Sequence, residues 1–163
     1  MLGAAQLDGA AYDEIDAHPS RDAVAVAIVI LASIGAAIGV GATSVFDVTS
    51  LTIAALLGWL VWVFLTFVIG TQMLPGDRPH GGIGTILRAT GFSATPGILR
   101  ILGIIPGIGW FVFLAVTIWM LAAFVVAIQH ALNYSTAGKA LAVCVLGWLI
   151  SGILFFAFVR VAL

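Results

Sequence analysis

Apolar residues in this chain form long unbroken runs, with polar positions confined to short breaks between them. Residues 23–46, 48–76, 101–138 and 140–159 carry no Asp, Glu, Lys or Arg. A helix needs about 20 apolar residues to cross a hydrocarbon core about 30 Å thick, so the first two runs predict spans at about 23–42 and 51–71. The third run is too long for one crossing at about 1.5 Å per residue. Pro106, Gly107, Ile108 and Gly109 interrupt it, because proline removes a backbone donor and glycine admits turn geometry. A full span at 110–131 follows that break. Before it, residues 92–105 make either a short third span or a re-entrant piece carrying Arg100. The last run predicts a span at about 139–160, with Lys139 and Arg160 at its ends, where both cations reach the headgroups.

Composition turns these runs into a membrane assignment. The 163 residues are 63% hydrophobic and 8% charged, against about 25% charged residues in soluble domains. A net charge of −1 leaves no basic stripe to neutralise phosphates, so nucleic acid is not expected as a partner. The single cysteine, Cys144, forms neither an internal disulfide nor a thiolate cage. The expected fold class is all-α: a polytopic helix bundle with five transmembrane helices, a short N-terminal amphipathic helix and an inner-face amphipathic helix. Two regions follow, an acidic cytoplasmic segment at 1–22 and a membrane domain at 23–163.

Charge placement sets the expected orientation. Five spans with the N-terminus inside collect Arg21, Arg78, Arg88 and Lys139 on the inner side and leave Arg160 outside. Arg100 falls within the third span, nearer its inner end. Residues 1–20 lack the basic and apolar regions of a signal peptide and carry Asp8, Asp13, Glu14 and Asp16 instead. Leu7, Ala11 and Ile15 share one helical face there. This segment either docks as an acidic helix on Arg78, Arg88 and Lys139 or is a solvated tail. Ile83, Ile86, Leu87 and Thr90 recur at helical spacing with Arg88 opposite, which reads as a short amphipathic helix on the inner surface.

Candidate chemistry is sparse. All seven carboxylates lie outside or at the edges of the spans, whereas a proton-coupled transporter places an ionisable group within the bilayer. His18, His80 and His130 have no metal-ligand spacing. Ser93 and Thr95 have no partner base, and Ser135 and Thr136 resemble a cap for the last helix. No catalytic residue, metal or cofactor is expected. Gly35 and Gly39, like Gly103 and Gly107, have the small-x-x-x-small spacing that lets helices approach closely, within one bundle or between molecules.

Three segments resemble the bacterial branch of the Yip family, five-span membrane proteins named for interaction with Rab-type GTPases. The first is Leu7-Asp8-Gly9-Ala10-Ala11-Tyr12-Asp13-Glu14-Ile15 with the Asp16-Ala17-His18-Pro19-Ser20 turn. The second is Leu87-Arg88-Ala89-Thr90-Gly91-Phe92-Ser93-Ala94-Thr95-Pro96, and the third is Ala127-Ile128-Gln129-His130-Ala131-Leu132-Asn133-Tyr134-Ser135-Thr136 ahead of Lys139. The resemblance implies five helices, a cytoplasmic N-terminus, no enzymatic activity and no cofactor. The Asp-Leu-Tyr-Gly-Pro type motif of eukaryotic members is absent, so a Rab-type GTPase is not expected as a partner. The expected role is a membrane-organising or protein-interaction subunit in a bacterial inner membrane. It would work through helix packing and its cytoplasmic face, with lipid, another membrane protein or a second copy as partner. Asp13, Glu14, Arg78, Arg88, Gly91, Pro96, Arg100, Gly35, Gly39 and Pro106 are the candidate interaction or structural residues. The alternative is a small transporter or channel for an anionic solute, built on the broken third helix and Arg100.

Overall fold

The computed structural model describes residues 21–74 and 82–162. Five α-helices follow one another: α1 (Asp22–Gly39), α2 (Val45–Val68), α3 (Ile83–Ser93), α4 (Gly109–Ala131) and α5 (Ala137–Ala162). A π-helical turn, Ile69–Met73, extends α2, and a 3-10 segment, Thr95–Ile104, follows α3. α1, the continuous helix Val45–Met73 and α4 are each long and apolar enough to cross a membrane.

Local chemistry explains the boundaries. After α1 ends at Gly39, the chain turns at Gly41, whose φ of +93° suits glycine, and the Ala42 N–H returns to the Ala37 carbonyl. Ser44 caps α2: its hydroxyl oxygen accepts from the Asp47 N–H at 3.0 Å and the hydroxyl donates to the Asp47 carboxylate at 2.6 Å. That cap starts α2 well before residue 51, where hydropathy alone begins the span. The predicted break at Pro106 and Gly107 is a turn, with Gly107 at φ +86°. Asn133, at φ +52°, ends α4 while the Tyr134 N–H returns to the Gln129 carbonyl.

The third unit is where the structure departs from expectation. A helix is present where Ile83, Ile86, Leu87 and Thr90 predict one, but it does not lie on a surface. From Arg88 to Ser93 every residue is buried, and α3 leads directly into the 3-10 segment. Thr90, Ser93 and Thr95 donate their hydroxyls to the carbonyls of Leu87, Thr90 and Phe92. These bonds compete with the helical ladder. Pro96 then begins the tighter helix. A ten-residue 3-10 run is unusual, since most stop after three or four.

Its neighbour explains why it persists. Asp22 pairs with Arg88, Ala25 abuts Gly91, Ala32 abuts Gly97, Gly35 faces the Ile98 carbonyl, and Gly39 faces the Arg100 carbonyl and Gly103. Partner numbers rise together, so α1 and the α3 to 3-10 unit run parallel, side by side. A Cβ on Gly35 would sit 2.9 Å from the Ile98 oxygen, and one on Gly91 would sit 2.7 Å from the Ala25 Cβ. The tight winding and the missing Cβ atoms together let backbone meet backbone. At about 1.5 Å and about 2.0 Å per residue, the stretch from Arg88 to Gly103 rises roughly 27 Å, which matches the 18-residue α1 beside it.

This register places Arg100 at the level of Gly39, the opposite end of the bundle from Asp22 and Arg88.

The glycine contacts predict an ordered response to added methyl groups. Gly35→Ala and Gly39→Ala should each cost about 1–3 kcal/mol through overpacking. Gly58→Ala on α2, where a Cβ would meet nothing within 4 Å, should be neutral or stabilise by up to about 1 kcal/mol. Thermal unfolding of the three variants in one detergent checks this, and equal melting shifts would contradict the register.

Candidate functional site

Several polar side chains inside the bundle tie one element to another, while others bond to nearby backbone carbonyls. At the α1 start, the Arg88 guanidinium donates to the Asp22 carboxylate at 2.8 Å. Arg88 is only 7% exposed, so the cation placed by sequence on a solvated face is part of the interior. The α3 helix carries it there because Ala89, Gly91 and Phe92 on either side pack inward as well. Close to that pair, level with the Ala25 and Gly91 contact, the Trp59 indole N–H of α2 donates to the Thr90 hydroxyl of α3 at 3.1 Å. His130 Nδ1–H donates to the Val126 carbonyl one turn back, at 2.9 Å.

A latch closes the bundle near the α4 to α5 connection. Buried Tyr134 donates its phenol O–H to the Leu74 carbonyl at 2.6 Å, just past the π turn of α2. The Leu132 side chain fills the space beside Gly70. The Asn133 turn is what points Leu132 and Tyr134 back toward α2. Burial, aided by the nearby Cys144 thiol, pushes the Tyr134 phenol up to about 12.

The most distinctive concave feature is a cleft of about 640 Å³ between α2, α3, the 3-10 segment, α4 and α5. Thr90, Ser93, Ala94 and Cys144 form its buried floor. Trp59, Trp62, Met120 and Phe124 supply apolar walls, with the Trp62 and Phe124 rings 5.6 Å apart. Leu121, Leu141 and Val145 edge it and are each about half exposed. Arg100 stands at the Gly39 end. Its Nη2 donates to the Thr117 hydroxyl at 3.0 Å, and its guanidinium carbon lies 5.7 Å from the Phe113 ring centre. The Arg100 Nε is buried with no hydrogen-bond partner, and among the described residues no carboxylate lies within ion-pair distance of it.

The candidate residues separate accordingly. Gly35, Gly39 and Gly91 lie at the contact between α1 and the third unit; Pro96 is buried at the start of the 3-10 segment and Pro106 lies in the turn before α4. Arg88 and Arg100 occupy opposite ends of the bundle. Asp13, Glu14, Arg78, His18, His80 and the predicted N-terminal helix fall outside the described residues. Ser93 and Thr95, which lacked a partner in sequence, are satisfied by backbone carbonyls. Sequence reasoning missed Trp59, Tyr134 and Thr117; an aromatic residue with a polar tip inside an apolar run was the available signal.

Tyr134→Phe should lower stability by about 1–2 kcal/mol, because the Leu74 carbonyl loses a buried donor. The alkaline limb carries a second signature. The folded state holds the phenol proton more tightly than the unfolded chain, whose tyrosine titrates near 10. Stability from this group is therefore complete below about pH 10 and lost as pH rises through about 12. That loss should be missing from Tyr134→Phe in denaturation curves taken across the same range.

Comparison with known proteins agrees with this architecture. No curated protein and no solved structure matches the chain significantly. The family model for the Yip1 domain matches residues 9–159. That stretch includes α1, α2, α3, the 3-10 segment, α4 and most of α5. With nearly its whole length matched and its long apolar helices suited to a bilayer, this chain is an integral membrane protein that belongs to the Yip family.

Proposed function

We propose that the protein is a non-enzymatic membrane-organising subunit, a scaffold or accessory protein acting through its helix faces and its cytoplasmic surface. One observation carries this reading: the interior side chains that bond between elements hold helices together. Arg88 ties α3 to α1, Thr90 ties α3 to α2, and Tyr134 ties the last connection to α2. What remains for contact with other molecules is the outside. There α2 presents Ile53, Leu57, Leu60, Val61 and Phe64, all well exposed. A bilayer, another membrane protein or a second copy covers such a face.

The same reading includes five crossings of a bacterial inner membrane, with the N-terminus in the cytoplasm and the C-terminus outside. Two features support it. Alternating crossings require the first and third to point the same way, and α1 and the α3 to 3-10 unit are parallel. Arg21, Arg88 and Lys139 gather at the α1-start end of the bundle with Asp22, while Arg100 and Asp47 stand at the other, and the three cations against one favour the first end as the inner one.

Two measurements test the proposal. Reporter fusions should locate the two termini on opposite sides of the membrane; a cytoplasmic C-terminus would break the five-crossing arrangement. A photo-reactive side chain at Leu57 or Phe64 should trap a stoichiometric protein partner or a homodimer in native membranes. Monomer alone, from both positions, would overturn the interaction role.

A further inference from the structure

The cleft beside Arg100 joins two properties that the packing of the bundle does not explain. An apolar cavity of about 150 Å³ stays dry and takes up apolar guests; this cleft, at about 640 Å³, is about four times larger and lies within the range of small-molecule sites. Empty, it would deprive its lining of dispersion contacts. Its lips, Leu121, Leu141 and Val145, are exposed on the outer surface of α4 and α5, so a bilayer around the bundle meets the opening from the side. Hydrocarbon is the material at hand to fill it.

A cation stands at one end of this hydrocarbon slot. Arg100 has the Thr117 hydroxyl and the Phe113 ring as neighbours, neither of which neutralises its charge. The contrast within the same chain is Arg88, which has Asp22 at 2.8 Å. An unneutralised cation inside or near the hydrocarbon is costly unless an anion joins it. Arg100 lies at the level of Gly39, beside Phe113 in the second turn of α4, which is headgroup depth for a helix starting at Gly109. The remaining cleft extends from there toward Phe124 and Cys144, the direction an acyl chain takes from its headgroup.

We propose that this cleft is a binding site for one anionic phospholipid. Its phosphate pairs with the Arg100 guanidinium, and one acyl chain lies between α4 and α5 over the floor formed by Ser93 and Cys144. Arg100 supplies headgroup selectivity through net charge: the phosphate of an anionic lipid has no cation of its own and takes the guanidinium as its counter-ion, whereas a zwitterionic headgroup already carries one. The apolar walls supply retention. The site is independent of the protein-interaction role: it requires neither a protein partner nor a particular orientation of the termini.

Native mass spectrometry of the full chain, exposed in mild detergent to equal amounts of phosphatidylglycerol and phosphatidylcholine, tests this. Wild type should retain one phosphatidylglycerol in preference, and Arg100→Gln should lose that preference by roughly fivefold or more. Arg100→Lys should keep part of it, which separates loss of charge from loss of fold. A phosphatidylglycerol with a photo-reactive acyl chain should label peptides containing Met120, Leu121 and Phe124 or Leu141 and Cys144. Equal retention of the two lipids, an unchanged preference in Arg100→Gln, or labelling confined to other faces would each overturn the site. Displacement of the lipid by inorganic phosphate would also overturn it, since the free anion would then be the ligand. So would a lipid-free dimer whose cross-links cover the cleft.

Discussion

Everything else in this bundle depends on one backbone-to-backbone contact: the glycine face of α1 against the carbonyls of the 3-10 segment. Between helices in lipid, apolar side chains gain little from leaving the solvent, which is itself apolar. Close packing and polar contacts therefore decide which faces meet. Gly35 and Gly39 place Cα hydrogens where the Ile98 and Arg100 carbonyls point, a geometry suited to weak C–H to oxygen bonds. Only the tighter winding after Pro96 brings those carbonyls so near. The parallel register follows, and with it the depth of every residue on the third unit, Arg100 included.

The polar ties are consistent with that contact and subordinate to it. Asp22 meets Arg88 because Ala25 and Gly91, three residues further along each helix, already fix the spacing. Trp59 meets Thr90 because α3 is held within reach of α2. The Tyr134 latch acts at the far side of α2, where the π turn ends and the Leu74 carbonyl would otherwise be left unsatisfied. Each bond adds little alone in a membrane protein. Their common effect is to select one arrangement of five helices among several that hydropathy permits.

Much of this architecture was legible in the sequence, and the limits have physical causes. Charge-free runs reveal helices because lipid tolerates few exposed ions, and Pro106 with Gly107 marks a turn because no helix accommodates both geometries. The capping signal Ser44-Val45-Phe46-Asp47 could have moved the start of α2 forward, but hydropathy gives caps no weight. The Gly35 and Gly39 spacing announced a close approach without naming its partner, which is a tertiary fact. Hardest to foresee was the 3-10 winding. Gly97 weakens an α-helix, but nothing in Ile98-Leu99-Arg100 selects the 3-10 form over it; the close contact with α1 accompanies the tighter winding. Arg88, read from helical spacing as lying opposite the apolar side of a surface helix, is buried in a pair with Asp22, a contact between distant parts of the chain that spacing along one helix does not reveal.

The two arginines of the third unit show how the same charge is handled in different surroundings. Arg88 sits where the chain can bring its own carboxylate, and the ion pair at the end of the bundle is half wet through Asp22. Arg100 sits where α1 offers only Gly39 and the Gly39 carbonyl region, too crowded for an acidic side chain. On its other side are Phe113 and Thr117 of α4, and beyond them the cleft. A carboxylate supplied by α4 would have neutralised the cation at the cost of burying a second ion. Leaving the position to a mobile anion avoids that burial and ties occupancy to the composition of the surrounding leaflet. The close approach that makes the bundle stable thus also fixes a cation with no counter-ion among the described residues, and the cleft is a direction from which a counter-ion with a hydrocarbon tail can arrive.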